Sequence, residues 1–563
     1  MRRFSVVIGM ALLVGVVAGC FEQGGGARSY KGPLFRYHYA GRANLPAGTN
    51  ASEFKKIDAL PATAEFRSHV AAKLAGSAVE IWKNDLPAGV SDHGALLKPL
   101  LEDFFVAEAY VEVRGAPGKA ETALAIQLND ERARLWESNL RQLMGAWKLG
   151  TPKDVTIETA KGWEVKRSQA PNTFQFARTG KWVLIGLGQD RLTILPPLLQ
   201  AAAKSGRPLP LLTNTLLELS ADLPALRPWL GVFARYPLPP IVATMSPKGE
   251  YVRTEVRFQY SGKVPWTYEP FKFPTNLISE PLTSFTLAQG IAPLVKSFRG
   301  FDQLSLQPVP NQLCAWGVRQ DQCRLFFAVP VPNATNALRK LAPTLPLFVR
   351  SYFTNMQGDF LYISNRAELV WGNLPFIAPH IQPEKDGKSE YLYGGIFPRA
   401  RSHTPVTDTL FAQVRGRTNL VYYDWEITQD RLSHGRQLYQ LAALVDWRTT
   451  GTNSVSRQWL DKIGSLLGNT ITEVTQTGPQ ELFLARKSHL GFTGFELATL
   501  GEWFDSPQFP FRISAPASMR GSPPKSPAAT TLPGGTTNAA TILSPSGAAN
   551  SPTRTPGQPP KRP

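Results

Sequence analysis

Cysteine is almost missing from this chain: there are three in 563 residues, at positions 20, 314 and 323. That count excludes a disulfide-dense scaffold, and the spacing fits neither a zinc knuckle nor a Cys-x-x-Cys redox pair. Histidine is scarce too. None of the seven (His38, His69, His93, His380, His403, His434 and His489) lies three to five residues from another, so no His-Glu-x-x-His helix is encoded and no local metal site is indicated. A Gly-x-Ser-x-Gly elbow is absent, as is a Gly-x-x-x-x-Gly-Lys-Ser/Thr phosphate loop. Ser52-Glu53-Phe54-Lys55 matches a bare Ser-x-x-Lys, but its usual companions Ser-Asp-Asn and Lys-Thr-Gly are missing and the match reads as chance. Gly186-Leu187-Gly188-Gln189-Asp190-Arg191 follows a strand and precedes a helix, as a dinucleotide loop does. Arg191 stands where the third glycine is needed, so a strand-to-helix turn is the better account.

Long apolar runs are lacking except at the start. Arg2 and Arg3 precede an apolar stretch from Val6 to Val17, and Val17-Ala18-Gly19-Cys20 follows. The stretch is too short to cross a bilayer and reads as a secretory signal over 1–19 with a small-residue cleavage site. These four residues resemble the lipobox of bacterial lipoproteins, where the chain is cut before the cysteine and the cysteine is lipidated. Val17 stands where Leu is commoner. The resemblance implies a cell-envelope location and a membrane partner reached through lipid on Cys20. Phe21, and not Asp, follows the cysteine. In an organism with two membranes that implies the outer one, on its periplasmic or surface face. Residues 20–29, with Gly24-Gly25-Gly26, read as a flexible tether.

Acidic residues are outnumbered, 43 against 61 Lys and Arg, for a formal charge of +18. The leader and the segment 515–563 carry seven of the basic residues, which leaves +11 on the body. Such an excess favours anionic neighbours. For an exported protein these are envelope polymers or lipids, and not nucleic acid. Charge spread over a solvated surface is the plainer account.

Hydrophobic residues make up 43 % and aromatics 10 %, enough for a packed core, and the length exceeds what one core usually holds. Residues 30–60 show no clear period. Helical spacing is read over 65–83 and 94–105, and alternation over 108–114 and 121–128. Asn129 can cap the next helix, with Asp130 and Glu131 in its first turn. In the second half, 282–298 reads as a helix, 312–329 as a hairpin, 333–349 as a helix weakened by Pro343 and Pro346, and 420–427 as a strand. Helix, hairpin, helix and strands thus recur about two hundred residues apart. The expected fold class is α+β, in two halves (30–262 and 275–514) with antiparallel sheets packed by helices. Internal duplication is one reading of the recurrence and two unrelated α+β domains are the other. The join falls near Gly262 to Pro274. Residues 515–563 hold eleven prolines with no aromatic or acidic residue and are expected to form a disordered basic tail.

Candidate chemistry is thin. A pairing that opposes Cys314 to Cys323 about a turn near 318–321 would bring them within disulfide reach, and an exported compartment allows the bond. Two free buried thiols are the alternative. Asp424 and Glu426, flanking Trp425, share one side of a strand and could mimic a glycosidase carboxylate pair, although an exposed strand face is the commoner explanation. Trp229, Trp266, Trp371 and Trp503 sit near Pro or Gly and could line a groove. Core packing explains them more cheaply. No residue is singled out as catalytic, cofactor-binding or metal-ligating, and no cofactor is implied. The reading is a lipid-anchored envelope protein that binds or scaffolds. A carrier or chaperone for an apolar envelope ligand, and a hydrolase of wall or glycan material, are the alternatives.

Overall fold

The computed structural model describes residues 33–45, 48–82, 86–115, 120–167, 173–189, 191–226, 238–264, 268–297, 301–304, 306–319, 324–352, 358–374, 377–397, 404–406, 408–445 and 454–510. The leader with Cys20, the tether and the segment 515–563 lie outside these residues, as do Cys323, Trp229, Trp266 and His403.

Among the described residues twenty antiparallel strands form one sheet. The first half supplies β1 (Phe35–Tyr39), β2 (Ala109–Arg114), β3 (Glu121–Gln127), β4 (Lys153–Ile157), β5 (Ala160–Lys166), β6 (Thr173–Thr179), β7 (Trp182–Gly188), β8 (Leu217–Ala221), β9 (Ile241–Lys248) and β10 (Tyr251–Gln259). The second supplies β11 (Leu282–Gln289), β12 (Gln312–Val318), β13 (Arg324–Pro330), β14 (Asp359–Ile363), β15 (Glu368–Gly372), β16 (His380–Asp386), β17 (Ser389–Gly395), β18 (Leu420–Ile427), β19 (Asn469–Gly478) and β20 (Glu481–Ser488). Pairing in the first half runs β4-β5-β6-β7-β3-β2-β1-β8-β9-β10. The second half runs β14-β15-β16-β17-β13-β12-β11-β18-β19-β20. Every strand therefore has a counterpart ten labels later in the same place. The two runs meet where β10 pairs with β20, from Val252 opposite Ser488 to Gln259 opposite Glu481.

Opposed residues of an antiparallel pair share a face, so each face can be followed across the sheet. Phe35 lies opposite Ala221, Ala221 opposite Ile241, Ile241 opposite Phe258, and Phe258 opposite Leu482. Two residues along β20, Leu484 faces Val474, and Val474 faces Tyr422. This is the helical face. In the first half it packs Val111, Val113 and Ile126 against α3 (Gly94–Val106) and α4 (Asp130–Ala146), through Leu97, Trp136 and Leu140. The Asn129 side chain caps α4 by accepting from Arg132 N at 2.8 Å.

The halves are not separate bodies. Besides the shared sheet, α1 (Ser52–Ala59) and α2 (Pro61–Gly76) of the first half join α8 (Thr428–Val445), α9 (Val455–Gly464) and α10 (Gly494–Asp505) of the second in one core. Phe66 of α2 stacks on Trp459 of α9 with ring centroids 4.2 Å apart. The remaining longer helices are α5 (Leu195–Ser205), α6 (Ala334–Leu341) and α7 (Leu345–Tyr352). The segment read as a join is tied into the sheet, with Val264 N donating to Pro479 O at 2.8 Å.

Two sequence expectations are corrected. Residues 282–298 begin as strand β11, not a helix, and only Ala292–Ser297 is helical. Most of β11 is buried on both sides, so alternation is masked and the run resembles an apolar helix. Residues 30–60, read as irregular, contain β1 and α1. β1 is only five residues long, too short for its alternation to stand out.

Candidate functional site

The sheet's other face is open over β1, β2 and β8 of the first half. Along β1, Phe35 and Tyr37 join the helical core, while Arg36 and His38 point the opposite way. There Arg36 lies opposite Glu112 of β2 and Ser220 of β8, and His38 lies opposite Tyr110 and Glu218. α5 covers the neighbouring strands on this side, packing Leu195, Leu198 and Leu199 on Ala123, Ala125 and Leu184. Its approach depends on two glycines of β7. A Cβ at Gly186 would sit 2.5 Å from Leu192 Cδ1, and one at Gly188 would sit 2.8 Å from Leu192 Cδ2. The Gly-x-Gly spacing serves this packing. Glu121 of β3 closes the approach to the helix, accepting from Thr193 N at 2.7 Å and Ile194 N at 2.6 Å.

The chain leaves α5 through Gly206, which takes a left-handed conformation (φ 75°). It returns to β8 by way of Pro208-Leu209-Pro210-Leu211-Leu212. Between this strap and the strands lies a cleft of about 520 Å³. Arg36, His38, Tyr110, Glu112, Arg114 and Glu218 supply its polar lining, and Pro197, Leu198, Leu209 and Leu211 are among its apolar residues.

Two buried carboxylates organise the polar side. Glu112, its side chain only 3 % exposed, accepts from the Tyr110 hydroxyl and from Arg114 Nε, and lies 3.4 Å from Arg36 Nη2. Burial, and then the hydrogen bond and charge of Glu112, push the Tyr110 phenol well above its ordinary range, so it stays protonated as a donor. One row further on, Glu108 accepts from Asn44 Nδ2 at 3.0 Å and from Arg207 Nη2 at 2.6 Å, and lies 3.4 Å from His38 Nε2. Burial raises the Glu108 carboxyl, but His38 and Arg207 outweigh it and leave the group below the usual carboxylate range. None of these groups was singled out in the sequence. The signals were the alternation over 108–114, which sets Tyr110, Glu112 and Arg114 on one side, and the short Phe-Arg-Tyr-His-Tyr alternation of β1.

The same face of the second half is packed solid. At the corresponding strands β11, β12 and β18 it presents Phe285, Leu287, Cys314, Trp316, Val318 and Tyr423, all buried in one apolar cluster with Phe411. Cys314 lies opposite Ala328 of β13, so the register does not oppose it to residue 323, and Cys323 itself is outside the described residues. Burial pushes the Cys314 thiol far above its usual range.

Asp424 and Glu426 do share one side of β18, but it is the helical face, and it is not exposed. They are 1 % and 0 % exposed. Arg431 of α8 lies 3.7 Å from Asp424 and 3.8 Å from Glu426. Gly494 N, at the start of α10, donates to Glu426 at 2.7 Å. On β20, Arg486 forms a forked pair with Glu496 at 2.7 and 2.9 Å and donates to Thr472 at 2.9 Å. Burial, with Asp424 next in weight, pushes the Glu426 carboxyl up to about 8. Sealed beneath α8 and α10, the pair offers no substrate cleft.

Trp371 stacks on Phe360 at 4.5 Å, and Trp503 packs on Phe509 at 4.9 Å, so neither lines the cleft. Lys55 of the Ser-x-x-Lys match donates to Gly48 O at 2.6 Å. Among the described residues no three His, Cys, Asp or Glu side chains gather as a metal site, and no helix is long and apolar enough to cross a membrane. No family model, curated protein or solved structure matches this chain.

Proposed function

We propose that this is a lipid-anchored protein of the bacterial cell envelope, tethered through Cys20, that acts by binding and not by catalysis. We further infer that its two halves descend from one duplicated α+β unit. The lipobox-like Val17-Ala18-Gly19-Cys20 supports the anchor. The matching strand orders, joined edge to edge at β10 and β20, support the duplication.

One observation carries the binding reading. The face that is filled with apolar side chains in the second half is opened, in the first, into a cleft with fixed charges on one side and leucines on the other. A mostly preformed concavity with a few placed polar groups is the usual form of a small-molecule site. The hydrolase reading loses its best candidate pair, because Asp424 and Glu426 are sealed from solvent.

Expression of the full chain in a bacterium with labelled palmitate tests the anchor. Label on the wild type, lost with release from the membrane fraction in Cys20→Ser, is the expected result. Unlabelled protein still carrying its leader would overturn it.

A further inference from the structure

We propose that the cleft over β1, β2 and β8 takes an anionic single-chain amphiphile, its head group held by Arg36 and Arg114 and its acyl chain lying along Leu198, Leu209 and Leu211. This rests on the binding reading above and names its ligand class.

The head site follows from how the two arginines are held. Each guanidinium contacts the buried Glu112 carboxylate, Arg36 through Nη2 and Arg114 through Nε. Among the described residues these are their only ion pairs, and the side chains stay 44 % and 53 % exposed within the cleft lining. Glu112 is itself fixed from below by the Tyr110 hydroxyl. Among the described residues a fixed carboxylate thus anchors two guanidiniums while leaving most of their N–H groups unspent, and two positive charges against one negative leave an excess of one at this end. Fork-shaped donors of this kind suit a carboxylate or a phosphate. Glu218, exposed on β8 at the His38 row, repels an anion from the other end of the floor and sets the orientation.

The tail site follows from the strap. Pro208-Leu209-Pro210-Leu211-Leu212 brings leucines over the floor, with Leu211 left 48 % exposed. Prolines at 208 and 210 stiffen that wall, so little ordering is needed when a chain docks. A cleft of about 520 Å³ holds one drug-sized or single-chain molecule.

The test uses the full chain carrying Cys20→Ser, so that no acyl group of its own competes. It is titrated calorimetrically with dodecyl phosphate, laurate, dodecyl maltoside and inorganic phosphate, each below its micelle concentration. The proposal expects one saturable site for dodecyl phosphate or laurate, bound at least about tenfold tighter than the uncharged maltoside or the chainless phosphate. The better of the two names the head as phosphate or carboxylate. Arg36→Gln and Arg114→Gln should each weaken it about tenfold, and Leu211→Asp several-fold; each arginine variant leaves Glu112 one guanidinium and the Tyr110 hydroxyl, and the melting temperature of each variant checks that it remains folded. Equal affinity for dodecyl maltoside, no saturable binding, or binding indifferent to both arginine variants overturns the proposal. Such a failure leaves palmitate labelling of Cys20 untouched, so the anchor and the ligand class fail separately.

Discussion

The two halves of the sheet share one strand order and invert its chemistry. In the first half the helical face is apolar, with Phe35, Val111 and Leu219 against α3 and α4, and the other face is charged and open over β1, β2 and β8, beside the strands that α5 covers. In the second half the helical face buries Asp424, Glu426 and Arg486, and the other face is filled by Phe285, Leu287 and Trp316. Strand order alone therefore does not determine where a site forms. Each half needs one well-packed apolar face. Charges placed on the other face form a cleft where the covering segment stands off, and a structural ion network where helices close over them.

The sharpest way to break this contrast is to remove a charge on the sealed side. Arg486→Met should cost about 3–5 kcal/mol of unfolding free energy, since it leaves Glu496 and its neighbours buried without their cation. Denaturant titration checks this, and a loss below about 1 kcal/mol would mean the network is far wetter than described.

Next in size is the apolar counterpart of the cleft. Leu287→Ala should cost about 2–5 kcal/mol, because the position is fully buried and the cavity cannot fill. On β1, the counterpart of β11 in the open half, Arg36→Gln should change stability by no more than about 1 kcal/mol, because the side chain is 44 % exposed and Glu112 keeps Arg114 and the Tyr110 hydroxyl. Comparable losses at the two positions would contradict the asymmetry.

A subtler test sharpens the sealed side through pH. The Glu426 carboxyl, ordinarily at 4.5, is raised to about 8 in the fold. Between those values the unfolded chain releases a proton that the folded chain keeps. Its contribution to stability is full below about 4.5 and is lost as pH rises through about 8. Glu426→Gln should remove that decline, so the stability difference between wild type and variant should move against the wild type as pH rises from 4.5 to 8. A difference that does not vary with pH would place the carboxylate in a solvated setting. Smallest of all, Asn129→Ala should cost about 1 kcal/mol through the lost cap on α4, seen as a lower melting temperature.

Much of the fold was legible in the sequence, because long amphipathic segments announce themselves. The helix after Asn129 and the strands 108–114 and 121–128 fall where the spacing predicts, whereas the recurrence read along the chain opened its second copy with a helix over 282–298 that is strand β11. What escaped were segments whose surroundings hide their period. β11 is buried on nearly every side and reads as a helix. β1 is too short to stand out, and with it went Arg36 and His38. The site itself depends on residues far apart in the chain. Arg36, Glu112 and Glu218 converge only through the register of three strands, and nothing local to any of them marks the cleft. Asp424 and Glu426 were visible as a pair, but their burial depends on α8 and α10 closing over them, which spacing cannot reveal.

Native mass spectrometry of the full chain extracted gently from its membrane tests the anchor and the bound ligand together. The account predicts a chain beginning at an acylated Cys20, with a small anionic amphiphile that co-purifies with the wild type and is lost from Arg36→Gln. An unmodified chain still beginning at Met1, with no bound small molecule, would contradict it.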